Sequence, residues 1–286
     1  MTAGWTFGAE LEFADVSRKT PLPKGCSWNN QEMTLVNSNG VANDPLGTLW
    51  AYGGEVNTRP TNDAADQVAV CMEVVEALGG TGTINYRCDF QVHIGVPGLA
   101  DDLAAVKRVG LYVQENYEHV ITLVDPIARP RASEWGTLDY ELAKQDYRRK
   151  KRLHHTQLPL GTFEKQQRAS NVQAFYAAEF RVPPPPRVWV NLRQLWRETE
   201  TVEFRHFFST ANEQEIESCL WWCELFLDAA LNGGPPANEL LQSKMVFPVA
   251  RQFDPALERG YLETNFAHHS RSEVHDILQR RGFISV

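Results

Sequence analysis

No apolar run in this chain approaches the roughly 18 residues of a transmembrane helix, and the N-terminal MTAGWTFGAE has neither a basic region nor an apolar core of the kind that directs secretion. A cytoplasmic location is the expectation. Cysteine is sparse: the five at 26, 71, 88, 219 and 223 form no CxxC pair and are odd in number, which fits free thiols rather than a disulfide framework. Cys219 and Cys223 stand one helical turn apart in an apolar stretch and read as small core residues. A phosphate loop of the GxxxxGK[ST] type is missing, as is a GxSxG nucleophile elbow. LGGTGTIN, residues 78–85, lacks the strand-to-helix setting of a dinucleotide fingerprint and reads as a turn. The histidine pairs 154–155 and 268–269 have no companion ligands at zinc spacing. Positive charge is also short, 28 Lys and Arg against 36 Asp and Glu, and the formal charge of −8 argues against a general nucleic-acid or membrane-surface binder.

What is present is an ordinary globular composition: 286 residues, 43% hydrophobic and 22% charged, enough for one large domain. A single unit over residues 1–286 with an insertion at 129–187 is expected. Apolar residues recurring at spacings of three and four predict amphipathic helices over 63–78, 101–124, 213–231 and 271–281. Thr210 with Glu213, and Ser270 with Glu273, fit capping boxes, and Gly282 is placed to end the last helix. The proline run 183–186 breaks helix and central strand alike and reads as an extended connector. Between residues 129 and 168 the charge reverses, with ten Lys or Arg against five acids. Its centre, DYRRKKRLHH, fits a solvated face, a lid over a polyanionic substrate or nucleotide phosphates, or a nucleic-acid contact.

Side chains along a strand alternate between its two faces, so a segment of alternating character assigns each residue to a side. In FGAELEF, Trp5, Phe7, Ala9, Leu11 and Phe13 share one face, and Thr6, Gly8, Glu10 and Glu12 share the other. Four further segments repeat the arrangement. In YGGEVNTRP, Gly54 and Val56 oppose Glu55, Asn57 and Arg59; in DFQVHIGV, Phe90, Val92 and Ile94 oppose Gln91, His93 and Gly95. In RVWVNLR, Val188, Val190 and Leu192 oppose Trp189, Asn191 and Arg193; in TVEFRHF, Val202, Phe204 and His206 oppose Thr201, Glu203 and Arg205. An antiparallel sheet often leaves one polar face to water, but such a face usually draws on Lys, Thr, Ser and Gln. Here it carries Glu, Asn, His and Arg and not one Lys, with glycines that leave room for a ligand. The pattern predicts a sheet with one face covered by helices and the other a carboxylate-lined binding surface.

Clustered carboxylates repel unless a cation neutralises them, and hard oxygen ligands favour Mg²⁺ or Mn²⁺ over zinc. Glu10, Glu12, Glu55 and Glu203 are the candidate metal ligands, enough for more than one ion. Arg59 and Arg205 offer planar bidentate donors to phosphate or carboxylate oxygens. Metal ions and arginines on one face are the equipment of phosphoryl transfer, which works mainly by positioning and charge neutralisation.

FGAELEF, GGEVNTRP, QVHIGV, VNLR and TVEFRHFFST, in that order, resemble the amidoligase family, a branch of the glutamine synthetase and carboxylate-amine ligase superfamily. The likeness runs over roughly residues 6–210 as short islands, of which the E-x-E and T-x-E-x-R strands are the most specific. It implies an α+β fold, a curved, mainly antiparallel sheet of the glutamine synthetase catalytic type backed by helices. It implies an ATP-dependent, ADP-forming ligase that joins a small-molecule or peptide carboxylate to an amine donor through an acyl phosphate, with ATP and Mg²⁺ or Mn²⁺ as cofactors. By the same resemblance Glu10, Glu12, Glu55, His93 and Glu203 hold metal, and His93, Gln91, Asn191 and Arg205 meet ATP. Arg205, Glu55 and Arg59 form the catalytic set. Where the family has H-x-H, this chain has Gln91-Val92-His93, an amide that can still coordinate or hydrogen-bond. Arg129, Arg131 and Arg59 are candidates for the substrate carboxylate, and a basic lid at 129–168 would keep water from the intermediate. Neither a membrane nor a nucleic acid is an expected partner; a homo-oligomer is left open. Two other readings stand beside this one: a phosphotransferase like the guanidino kinases, and a non-catalytic ATP-binding regulator.

Overall fold

The structure is a computed structural model that describes residues 4–14, 16–29, 53–79, 88–117, 119, 158, 160–180 and 188–248. The expected helix at 271–281 with its caps, the proline run, both histidine pairs, residues 80–85 of the glycine turn and most of the basic stretch, Arg129 and Arg131 included, lie outside the described residues.

The chain is α+β. Among the described residues the strands are β1 (Thr6–Ala14), β2 (Ser27–Trp28), β3 (Gly53–Asn57), β4 (Asp89–Gly95), β5 (Val190–Asn191) and β6 (Thr201–Phe208). They form one six-stranded sheet in the order β2-β3-β1-β4-β6-β5, every neighbouring pair antiparallel. The helices are α1 (Ala64–Ala77), α2 (Leu103–Glu115), α3 (Leu160–Gln167), α4 (Val172–Phe180) and α5 (Glu213–Asn232), with tighter 3₁₀ turns at Leu99–Asp101, Leu192–Trp196 and Ala237–Leu240.

Alternation decides which face of the sheet the helices cover. Phe7, Leu11 and Phe13 of β1, Val56 of β3, Phe90, Val92 and Ile94 of β4, and Val202 and Phe204 of β6 are all buried. Against them lie Val74 of α1, Val106 and Val109 of α2, and Ile216, Leu220, Trp222 and Phe226 of α5. Burying a side chain of this size contributes about 1.5–3 kcal/mol, so this layer carries most of the driving force that keeps the sheet in place. Phe226 ties the layers together, meeting Tyr112 of α2 edge-on at 4.7 Å, Phe204 of β6 at 5.8 Å and Trp189 at 5.4 Å between ring centres. No helix among the described residues is long and apolar enough to cross a membrane.

Two local expectations are corrected. The segment 188–193 does not alternate as a full strand, because only Val190–Asn191 pairs with β6 and the chain then turns into the 3₁₀ helix Leu192–Trp196. Trp189 consequently enters the core, completely buried against His206 and Phe226, rather than joining the polar face. At the start of α5 the cap is Asn212 and not Thr210: the Asn212 side chain accepts from the Glu215 backbone N–H at 3.2 Å. Thr210 Oγ1 instead accepts from the Asn212 N–H at 3.0 Å and donates to the Glu215 carboxylate, so the cap box is shifted by two residues.

Candidate functional site

Strand register assembles the polar face. Gly8 of β1, His93 of β4, Glu203 of β6 and Asn191 of β5 fall in one row across four strands. Alongside it, Glu10 pairs with Asn57 on one side and Gln91 on the other, and Glu12 pairs with Glu55. Residues that are more than 100 positions apart in the chain thus become neighbours by hydrogen-bond register alone.

The row is bound together by polar contacts. Glu10 Oε1 lies 3.2 Å from His93 Nε2, and His93 Nδ1 lies 3.1 Å from Thr201 Oγ1. Glu203 is only 2% exposed and is held on both oxygens. Arg205 Nη1 is 3.2 Å from its Oε1, while Asn191 Nδ2 donates to Oε2 at 2.5 Å and Gln194 Nε2 donates to Oε2 at 3.1 Å. Gln91 reaches its neighbours in either orientation of its amide. With the nitrogen toward Glu10 and Glu203 it donates to Glu203 Oε1 at 2.7 Å and to Glu10 Oε2 at 3.1 Å; with the nitrogen turned away it donates to Glu55 Oε2 at 3.3 Å. The other oxygen of Glu55 accepts from Asn29 Nδ2 at 2.5 Å, and Glu12 Oε2 accepts from the Asp89 backbone N–H at 2.7 Å.

Among the described residues this face gathers several carboxylates around few basic groups. Glu10, Glu12, Glu55, Asp89 and Glu203 sit with Arg205 and His93, and Glu12 and Glu55 are 5% and 2% exposed. Burial alone would push the Glu10 carboxyl up, but the hydrogen bond and charge of His93, helped by Arg205 and by a hydrogen bond with Glu55, outweigh it and hold Glu10 below its usual range. The converse holds for His93: burial works to lower it, and Glu10, Glu203 and Glu55 together raise it above the usual imidazole value. Arg205 is raised in the same way, burial being outweighed by Glu203, Glu10, Asp89 and Glu55.

The atoms best placed for a cation are one oxygen each of Glu10 and Glu203 and a ring nitrogen of His93, all within 4.8 Å of one another. Thr201 holds the imidazole through Nδ1 and turns Nε2 toward the Glu10 carboxylate 3.2 Å away, so a cation at this point would take the place of the proton that Nε2 carries in the pair. Arg205 Nε, itself buried, has no hydrogen-bond partner among the described residues, a donor suited to an anionic oxygen.

Of the residues singled out in the sequence, Glu10, Gln91, His93, Asn191, Glu203 and Arg205 are brought together, with Glu12 and Glu55 beside them. Arg59 is not. Its guanidinium grips Glu73 of α1 with bonds of 2.8 and 2.9 Å and also donates to the Lys24 carbonyl, which ties it to a helix rather than to the carboxylate cluster. Three participants were not assigned to this face: Asn29, Asp89 and Gln194; Thr201, which alternation placed on it, has His93 Nδ1 as its partner. Asp89 shares the parity of Gln91 and His93, a signal that alternation carries. Asn29 and Gln194 arrive through loop and 3₁₀ geometry, which has no two-residue period to betray it.

No protein-family profile and no curated protein matches the chain. Among solved structures it is similar to a bifunctional glutathione synthetase from Pasteurella multocida, with a TM-score of 0.38 and 12% identity over 98% of this chain and 45% of that one. The chain therefore spans less than half the length of that protein, and a TM-score of this size is a partial likeness of architecture that assigns neither ligand nor reaction.

Proposed function

We propose that the protein is an ATP-dependent carboxylate-amine ligase of the amidoligase type, forming an amide or peptide bond through an acyl phosphate. The observation that carries this reading is the cluster of Glu10, His93 and Glu203 ligand atoms within 4.8 Å of one another, with Arg205 3.2 Å from Glu203. Two carboxylates and an imidazole converging in this way fit a divalent cation, and a set of oxygens with a single imidazole suits Mg²⁺ or Mn²⁺. Glu10, His93 and Glu203 would hold it, with Glu12 and Glu55 as further ligands. When bound, the ion supplies neutralisation of charge on phosphate oxygens.

The chain's own residues do the rest. Arg205, anchored through Nη1 on Glu203, keeps Nε free to donate to an oxygen of the transferring phosphoryl. Asn191 and Gln194 fix the Glu203 carboxylate, so the site is organised before substrate arrives. In the proposed reaction the γ-phosphoryl of ATP passes to a carboxylate oxygen of the acid and ADP leaves. The amine nitrogen then attacks the acyl carbon, loses a proton, and inorganic phosphate departs. In this reading the sheet is a glutamine synthetase-like catalytic sheet, residues 129–187 are an insertion within the domain, and Arg129 and Arg131 would receive the substrate carboxylate.

ADP release from ATP and Mg²⁺ in the presence of pooled acids and amines should depend on both pools. Glu10→Ala and Glu203→Ala should each lower it by about 10²–10³-fold, the scale of losing a charge-stabilising group. ADP release that survives in both variants overturns the assignment, and a stable phosphorylated product without an amide turns it toward a phosphotransferase.

A further inference from the structure

Gln91 occupies the middle of the polar face, 5% exposed, paired in register with Glu10 and close to Glu203. Its amide has two ends of the same shape and opposite hydrogen-bonding character. With the nitrogen at the centre, it donates to Glu203 Oε1 at 2.7 Å and to Glu10 Oε2 at 3.1 Å, a neutral bridge between two carboxylates. After half a turn the nitrogen donates to Glu55 Oε2 at 3.3 Å, and the amide oxygen takes the central place against the same two carboxylate oxygens. Three oxygens facing one another repel unless a cation sits among them, whereas an N–H directed at a bound cation is repelled by it. Each orientation therefore suits one state of the site.

We propose that Gln91 is a ligand of the cation held by Glu10, His93 and Glu203, entering through its amide oxygen, and that the rotation hands its nitrogen from Glu10 and Glu203 to Glu55. This rests on the metal site of the proposed function and adds a ligand and a coupling to it. In the metal-free protein the amide holds the two carboxylates together. On loading, it pins Glu55, whose other oxygen is already held by Asn29. Gln91 thus makes the position of Glu55 depend on whether the neighbouring cation is in place.

Mn²⁺ titration of the chelator-stripped full chain, followed by electron paramagnetic resonance, tests this without any activity assay. Gln91→Leu should weaken Mn²⁺ binding by at least about tenfold, the low end of what a lost metal-site partner costs. Gln91→Glu keeps the shape and puts an oxygen at both ends; it should bind Mn²⁺ as tightly as the wild type or more so, while its metal-free form melts lower for want of the two donated bonds. In the wild type, the Gln91 side-chain ¹⁵N–¹H₂ signals should shift on Mg²⁺ saturation. Equal weakening in both variants, unchanged binding in both, or an unmoved amide signal each overturns the inference; with wild-type binding intact, the metal site and the ligase reading survive that result. A wild-type chain that binds no Mn²⁺ at millimolar concentration removes the metal site and this inference together.

Discussion

His93 is engaged at both ring nitrogens, by Thr201 at Nδ1 and by the Glu10 carboxylate near Nε2. Thr201 does not reach the centre of the site itself; it sets which nitrogen points there. Thr201→Val keeps the side chain's volume and removes the hydroxyl, so Mn²⁺ affinity measured by calorimetry should fall by about tenfold while the melting temperature of the metal-free protein moves little. The Glu10–His93 pair also sets a pH dependence. Glu10 is held below its ordinary value of 4.5, so its contribution to stability is present above 4.5 and is lost as pH falls through the depressed value. His93 is raised above 6.5, so its contribution is complete below 6.5 and is lost as pH rises through the raised value. Measured against a Glu10→Gln, His93→Gln double variant in chelator, the extra thermal stability of the wild type should be greatest between pH 4.5 and 6.5 and decline above it. At the proposed metal site Mg²⁺ would compete with the imidazole proton, so the melting-temperature gain on adding the metal should grow with pH over the same upper range.

Among the elements, α5 shows how local chemistry sets a boundary. Its first turn carries Glu213 and Glu215, favourable at the positive end of a helix, and its last residue is followed by Gly233 in the left-handed region at φ 71°. The Asn212 cap satisfies the Glu215 N–H, so Asn212→Ala should cost about 1 kcal/mol in chemical denaturation, the usual cost of a lost cap; a much smaller effect of that change than of Thr210→Ala would restore Thr210 as the cap. The helix itself was visible in the spacing of its apolar residues, and the cap was misplaced because Thr210, Asn212, Glu213 and Glu215 offer two overlapping start signals. Strand β5 was overextended for a different reason: Val188, Val190 and Leu192 alternate as a strand does, but Trp189 gains more from the aromatic core than from a polar face.

At the scale of the whole molecule, the helix layer seals four of the five cysteines. Cys71, Cys88, Cys219 and Cys223 are fully buried, whereas Cys26 is half-buried. Burial pushes the Cys71 thiol up to about 12 despite a hydrogen bond from Gln67, and it raises Cys219 and Cys223 well above the ordinary thiol value. An aromatic disulfide reagent should therefore titrate one thiol rapidly in the native protein, lost in Cys26→Ser, and all five after denaturation. Rapid reaction of two or more native thiols would show that α1 and α5 do not close over the sheet as described.

The sequence by itself determined which side chains share a face, because the two-residue period of a strand is a local property of the backbone. That was enough to place Glu10, Glu12, Glu55, Gln91, His93, Glu203 and Arg205 on one surface and the phenylalanines on the other. Only the tertiary structure decided who meets whom. The strand order puts β4 between β1 and β6, and register sets His93 opposite Glu203 with Glu10 beside it, choices that depend on pairing between distant segments. The same long-range packing took Arg59, which alternation assigned to the polar face, and gave it to Glu73, because its position lies beyond the end of β3 where the strand's period no longer governs direction.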